Sequence, residues 1–294
     1  MKPAPFDYYA PTSVDEALEL LAQLGYDGKI LAGGQSLVPT MNFRMAQPGA
    51  LVDLNRISEL FYVRSADDGG VLIGTMTRDT TVDEHPLIQE RVPLINEAMP
   101  HIAHIQIRNR GTFGGALAHA DPAAQLPAIS LAVDANCRVR STKGERWIPA
   151  SEFYFGPFMP AIEPEEMLVE IAIPPMPPRS GWSYQQFSRQ HGSQALVGVA
   201  VMVTLDDHER CRDARIALLG VGETALLAAE GRGVLMGEKP TPELFEAVAE
   251  TVVKADIDPG ADIHASADYR RHLTNTLTRR ALTIACERAR DQRR

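Results

Sequence analysis

The sequence predicts an α+β protein of two domains, a larger one followed by a small α+β unit. Three observations carry this expectation. The chain has 294 residues, too many for one small core. Its richest proline cluster, Pro174-Pro175-Met176-Pro177-Pro178, removes backbone donors and fixes extended geometry, which marks a domain boundary. Beyond that cluster, three strand patterns precede two helices, the order of an α+β unit. The domains are therefore expected at 1–176 and 177–294.

In chain order, the first element is a helix over SVDEALELLAQLGYDG. Ser13 and Glu16 form a capping box, Val14, Leu18 and Leu21 share one face, and Gly25 ends it. Residues 29–32 predict a short strand running into Gly33-Gly34. Pro39 sits just inside a short helical stretch near 37–44. Residues 51–54 and 71–74 are strand-like, and a helix is expected from about 87 to 102. A second glycine-rich stretch, 107–120, leads to Asp121-Pro122, which reads as the start of an apolar helix ending near Val133. Strands follow at 137–140 and 167–173. After the prolines, 182–188, 196–205 and 215–220 predict a three-stranded sheet, followed by helices over 243–254 and 267–289. The basic segment 288–294 is expected to fray.

Composition excludes several classes. With 45% hydrophobic and 23% charged residues the chain reads as an ordinary soluble protein. A net charge of -9 argues against nucleic acid or an anionic membrane as partner. The opening MKPAPFDYYAPTS lacks the apolar core of a signal peptide. No run approaches the roughly 18 apolar residues of a membrane span. The longest apolar stretch, 195–205, contains Gly198 and Thr204 and reads as a buried strand. Cys137, Cys211 and Cys286 are too scattered for a disulfide framework, a zinc site or a cluster motif, and a reducing cytoplasm is the expected compartment.

Two loops offer chemistry. In Leu31-Ala32-Gly33-Gly34-Gln35-Ser36-Leu37 a glycine pair stands between a strand and a helix start. Backbone N–H groups reach a pyrophosphate only where no Cβ obstructs them, a helix N-terminus adds partial positive charge, and Ser36 adds a hydroxyl. A tight turn fits the same residues, and local composition alone favours the turn. In Ile107-Arg108-Asn109-Arg110-Gly111-Thr112-Phe113-Gly114-Gly115-Ala116, Thr112 stands beside two unobstructed amides, and the arginines are phosphate partners or solvated surface charges. Neither loop has the G-x-G-x-x-G or P-loop spacing. The pair matters more than either loop alone.

LAGGQSLVPTMNFRMAQPGALVDL and IRNRGTFGGALAHADPAAQLPA resemble the two flavin motifs of the FAD-binding medium subunit of molybdenum hydroxylases, the xanthine dehydrogenase and carbon monoxide dehydrogenase group. ARIALLGVG and DIHASADYRRHL resemble that family's C-terminal flavin-subunit domain, so the likeness covers nearly the whole chain. It implies non-covalent FAD in a vanillyl-alcohol-oxidase (PCMH) type domain of two subdomains, about 1–57 and 58–176, with the flavin between them. Ala32, Gly33, Gly34, Gln35 and Ser36, flanked by Leu31 and Leu37, would form the first pyrophosphate loop. Thr112, Phe113, Gly114, Gly115 and Ala116 would form the second. Leu168 would be an apolar flavin contact, and Gln125 and Gln186 would belong to the same site. Relatives often carry Asn, Asp or Ser where Ala116 stands, and usually Asp or Glu at Gln125. They have Lys in a Tyr-x-Lys pattern at Gln186 and a Gly-Asp-aromatic at Gly192-Ser193-Gln194. The last two lie in a stretch that approaches the isoalloxazine in relatives.

The resemblance also implies a division of labour. A large subunit would carry the molybdenum cofactor and the substrate, a small subunit two 2Fe-2S clusters, and this chain would pass electrons from FAD to an external acceptor in a dimer of heterotrimers. The chain lacks the clustered cysteines an iron–sulfur centre needs. No acid–base catalyst is assigned to it, since the flavin carries the chemistry. His101 and His104 have helical i, i+3 spacing but no third ligand, which favours a structural role over a metal. His119 is weighed between a structural role and a place near the flavin. Two alternatives remain: a stand-alone FAD oxidase, which needs a base and a substrate pocket, and a nucleotide-binding module without turnover.

Overall fold

The computed structural model describes residues 1–292. The first section holds β1 (Asp7–Tyr9), α1 (Val14–Leu24), β2 (Gly28–Leu31), α2 (Leu37–Asn42) and β3 (Ala50–Asp53). The three strands form a parallel sheet with β3 in the centre, so that Tyr9 and Ile30 flank Val52. Ser13 Oγ accepts the Glu16 N–H at 3.2 Å, as a capping box requires. The Glu16 carboxylate reaches the Thr12 N–H at 2.8 Å instead of that of Ser13. Val14, Ala17, Leu18 and Leu21 bury the apolar face of α1 in one cluster with Val52, Leu54 and Met76.

The second section is built on β4 (Val63–Ser65), β5 (Val71–Gly74), β6 (Asn136–Ser141), β7 (Gly144–Pro149), the hairpin β8 (Tyr154–Gly156) and β9 (Met159–Pro160), and β10 (Met167–Ile173). Its main sheet is antiparallel, in the order β4-β5-β10-β6-β7. Between β5 and β6 run α3 (Asp79–Glu84), α4 (Pro86–Arg91), α5 (Pro93–Ala98), α6 (Ile105–Arg108), α7 (Phe113–His119) and α8 (Gln125–Ala132). The single helix expected over 87–102 is thus α4, α5 and a 3-10 turn at Met99–His101. Pro93 explains the main break: it forces Val92 out of the helical region, to φ -136 and ψ 54. The helix start expected at Asp121-Pro122 is also corrected. The glycine stretch itself is the first turn of α7, Ala120 stops that helix with a left-handed φ of 52, and α8 begins only at Gln125. Asp121 instead closes a turn by accepting the Ala123 N–H at 2.9 Å.

The third section holds β11 (Ser180–Ser188), β12 (Ala195–Leu205), β13 (Cys211–Leu219) and β14 (Leu226–Leu227), then α9 (Ala229–Leu235), α10 (Pro242–Thr251) and α11 (Ala267–Asp291). The expected three-stranded sheet has four strands among the described residues, because Leu226 and Leu227 add an edge to β13 that is too short to show a period. The continuous apolar run of β12 is buried on both faces. Val197, Val199, Val201 and Val203 pack with Leu277, Ala281 and Ala285 of α11, while Ala200 joins the core of the second section beside Ala128 and Ile129 of α8. The tail expected to fray is helical to Asp291. Arg288 pairs with Glu97 at 2.5 Å and donates to the Trp182 carbonyl at 2.7 Å, and Arg290 donates to the Pro240 carbonyl. Residues 293–294 of that tail lie outside the described residues. Among the described residues no helix is long and apolar enough to cross a membrane.

Candidate functional site

The two glycine loops meet. A Cβ on Gly33 would lie 2.4 Å from the Arg110 carbonyl oxygen and 2.9 Å from Gly111 Cα, so the first loop rests directly on the backbone of the second. A Cβ on Gly115 would lie 3.3 Å from that of Ala32. Residues more than 75 positions apart are therefore in van der Waals contact, a proximity that no local pattern announces.

The first loop leaves β2 at Leu31 and enters α2 at Leu37. Gly34 turns it with a φ of 73, a conformation L-residues rarely adopt. Its carbonyl accepts the Val38 N–H at 3.1 Å, and the Ser36 carbonyl accepts that of Thr40 at 3.2 Å. Gln35 folds back, its Nε2 donating to the Gly33 carbonyl at 2.9 Å. The N–H groups of Gly33, Gly34, Gln35 and Ser36 donate to no protein acceptor among the described residues. The Ser36 hydroxyl makes no capping bond. Since α2 has only six residues, these amides matter more than a helix field.

The second loop is different, and here the expectation of unobstructed amides is corrected. The Phe113 N–H donates to the Thr77 carbonyl and the Gly114 N–H to the Thr75 carbonyl, each at 3.0 Å. The Gly115 N–H donates to Thr112 Oγ1 at 3.2 Å and the Ala116 N–H to the Thr112 carbonyl at 3.0 Å. Gly114 is required by packing, because a Cβ there would stand 1.8 Å from Thr75 Oγ1. Phe113 is fully buried in the core, and Ala116 packs against the same cluster. What this loop keeps as a donor is the hydroxyl of Thr112, a buried residue whose Oγ1 accepts from Gly115 and keeps its own proton to donate. The turn that follows β5, from Thr75 to Arg78, holds the loop in place, and Asp79 at the start of α3 adds a bond from its N–H to the Gly111 carbonyl at 3.1 Å.

Of the other expected residues, Gln125 and Gln186 meet on the seam with the third section, while Leu168 lies apart in the core sheet. Gln125 Nε2 donates to Gln186 Oε1 at 3.0 Å, and the Tyr184 hydroxyl donates to the same oxygen at 2.6 Å. This leaves Gln186 Nε2 buried and without a partner among the described residues. Leu168 lies in β10 opposite Val139, 4% exposed within the core, and its neighbour Val169 accepts the Thr75 N–H at 3.1 Å. His101 faces Tyr184 at 5.3 Å between ring centroids, and burial with His191 nearby lowers its pKa. His119 lies against Phe158, with ring centroids 5.0 Å apart and the planes tilted by 46°, its pKa also lowered by burial.

Four residues escaped the sequence reading: Asn55, Thr75, Arg78 and Asp79. Asn55 Nδ2 donates to the Ala32 carbonyl at 2.9 Å, and Arg78 donates to both Asn55 and the Arg110 carbonyl. Asp79 is 3% exposed, its Oδ1 has no partner among the described residues, and burial outweighs Arg108 and Arg78 to push its carboxyl up to about 7. No motif contains these residues; they are legible only through contacts distant in sequence.

Comparison with known proteins bears on what this arrangement serves. Residues 4–176 match the family described as the FAD binding domain in molybdopterin dehydrogenase, and residues 182–285 match the CO dehydrogenase flavoprotein C-terminal domain. The chain is 44% identical to the 6-hydroxypseudooxynicotine dehydrogenase complex subunit alpha of Paenarthrobacter nicotinovorans, over 99% of this chain and 97% of that one. It is 41% identical to the carbon monoxide dehydrogenase medium chain of Hydrogenophaga pseudoflava, over 98% and 99%. Among solved structures, a chain of the Hydrogenophaga pseudoflava carbon monoxide dehydrogenase superposes with a TM-score of 0.95 at 40% identity, covering 98% of this chain and 99% of that chain.

Proposed function

Since this chain belongs to the family of flavin subunits of molybdopterin dehydrogenases, we propose that it binds FAD non-covalently and serves as the electron-transfer subunit of a heterotrimeric molybdenum hydroxylase. The observation that carries the proposal is the row of unpartnered amides from Gly33 to Ser36, lying against a second loop that offers Thr112 Oγ1. Such a cradle fits a diphosphate, whose oxygens accept several N–H and O–H donors at once and tolerate no Cβ between.

In this reading Ala32 to Ser36, flanked by Leu31 and Leu37, grip the diphosphate. Thr112 to Ala116 back it, with Thr112 as hydroxyl donor, Gly115 allowing the first loop to approach and Gly114 seating the loop on Thr75. Leu168, Gln125 and Gln186 belong to the flavin end, and the free Gln186 Nε2 supplies a neutral donor there. Bound FAD would supply the redox chemistry, collecting single electrons from iron–sulfur clusters and releasing them to an external acceptor. The chain's residues bind and orient it. The thiols of Cys137, Cys211 and Cys286 are buried and pushed up to about 12, far from the thiolate state a cluster ligand needs.

The partners in this proposal are a large subunit with the molybdenum cofactor and substrate site and a small subunit with 2Fe-2S clusters, assembled as a dimer of heterotrimers in the cytoplasm. The names of the relatives, a complex subunit and a medium chain, support the multi-subunit part. We also place the domain division at 176/177 and the subdomain division near 57/58. No sheet among the described residues crosses either point, which supports both.

The test is reconstitution. The purified chain retains FAD and shows flavin absorbance, and an aromatic or aldehyde substrate bleaches it only when both partner subunits are added. Bleaching by the chain alone would instead indicate a stand-alone oxidase. A colourless chain that takes up no FAD would indicate a nucleotide-binding module without turnover.

A further inference from the structure

A chain of side-chain hydrogen bonds runs between the two loops. Tyr8 donates its hydroxyl to Asp53 Oδ2 at 2.5 Å, and Asp53 Oδ1 accepts from both the backbone and side-chain nitrogens of Asn55. Asn55 Nδ2 also donates to the Ala32 carbonyl at 2.9 Å. Asn55 Oδ1 accepts from Arg78 Nη2 at 2.5 Å, while Arg78 Nη1 donates to the Arg110 carbonyl at 2.5 Å. The guanidinium stands 5.5 Å from the centre of the Phe61 ring, which limits its freedom.

The two backbone acceptors are not arbitrary. The Ala32 carbonyl shares a trans peptide unit with the Gly33 N–H, so fixing that oxygen on Asn55 points the free N–H the opposite way. The Arg110 carbonyl is the atom on which Gly33 rests. One planar guanidinium thus governs both the orientation of the first loop, through Asn55, and the position of the second, directly. An arginine serving only as surface charge has no need of two such partners.

We infer that Arg78 and Asn55 are positioning residues that hold the two glycine loops at the separation one diphosphate bridges, an inference that rests on the FAD reading above. Neither residue belongs to a glycine motif. The links span 23 positions from Arg78 to Asn55 and 32 from Arg78 to Arg110, so the device exists only in the folded chain.

The experiment uses the full-length chain freed of flavin, with R78M, R78K and N55A compared with wild type. FAD and ADP dissociation constants are measured alongside the unfolding temperature of the flavin-free protein. R78M and N55A are expected to weaken FAD and ADP in parallel, by about tenfold or more, the scale of one hydrogen bond to a charged group. The flavin-free unfolding temperature stays within about 2 °C of wild type, as the loss of one partly buried contact between two loops implies. R78K stays weak, because an ammonium is a point donor and cannot replace the fork. The double variant R78M/N55A is no weaker than the worse single variant, since both cut one connection.

Full recovery in R78K would overturn the inference in favour of charge alone. A lower unfolding temperature with unchanged dissociation constants would overturn it in favour of a structural tie, and no change in either would overturn it outright. If R78M does not fold, N55A decides, since it removes the Ala32 link and the Asp53 and Arg78 bonds that support it while leaving Arg78 on the Arg110 carbonyl. A wild-type chain that binds neither FAD nor ADP would sink the FAD reading itself, an outcome distinct from variants that bind like wild type.

Discussion

Gly33 and Gly114 are both crowded, yet side chains there have different consequences. A Cβ on Gly33 meets the Arg110 carbonyl at 2.4 Å, where the first loop rests on the second, so Gly33→Ala pushes the loops apart. We expect it to lose FAD retention while the flavin-free chain unfolds near the wild-type temperature. A Cβ on Gly114 meets Thr75 Oγ1 at 1.8 Å, and Thr75 is itself 5% exposed. Gly114→Ala is therefore overpacking, expected to cost roughly 1–3 kcal/mol of stability, visible in denaturant unfolding without any cofactor. Equal stability loss in the two variants would contradict this separation. Asp79 gives a prediction in pH. Its carboxyl is raised from an ordinary 3.8 to about 7, so between those values the folded chain holds a proton that the unfolded chain has released. The stability Asp79 contributes is complete below about pH 4 and is lost as pH rises through about 7. Asp79→Asn carries no such dependence. The unfolding temperature of D79N minus that of wild type should grow from about pH 4 to about pH 7 and level off above. A difference that is flat across that range would mean the carboxyl is not held neutral.

At the scale of elements, legibility followed how local each signal was. α1, α10 and α11 were readable because caps and apolar spacing lie within one helix, and β5, β10 and β12 because their apolar runs are self-contained. α9 was not, since Gly231 and Gly233 are poor helix formers and its first turn is held by Asp256, which accepts the N–H groups of Glu230 and Gly231. The glycine loops of the candidate site were visible, but the status of their amides was not. Only the folded chain reveals that Gly114 donates to Thr75 while Gly33 to Ser36 remain free. Asn55 and Arg78 carried no signal at all, because each looks like an ordinary surface residue until the loops are brought together. The end of α11 was misread because its basic residues look solvated, whereas Arg288 reaches back to Glu97 and Trp182. Arg288→Met should therefore lower stability by about 1 kcal/mol, a value discounted for its partial exposure. Chemical denaturation checks this; a variant as stable as wild type would show that the link adds nothing.

At the scale of the whole molecule, the third section is not a separate bead. Tyr184, Ala195, Ala200 and Ala217 join the same buried cluster as α7 and α8, and Gln186 of β11 meets Gln125 of α8. The seam that carries the Gln125–Gln186 pair is therefore backed by core packing, as the proposed flavin end of the site would need. In the proposed reading this chain supplies grip and orientation, and the substrate chemistry belongs to partner subunits. The most direct measurement is a crystal structure of the FAD-loaded chain in its assembled complex. The account predicts diphosphate oxygens within about 3.2 Å of the amide nitrogens from Gly33 to Ser36 and of Thr112 Oγ1. A diphosphate bound elsewhere, with those amides facing only water, would contradict it.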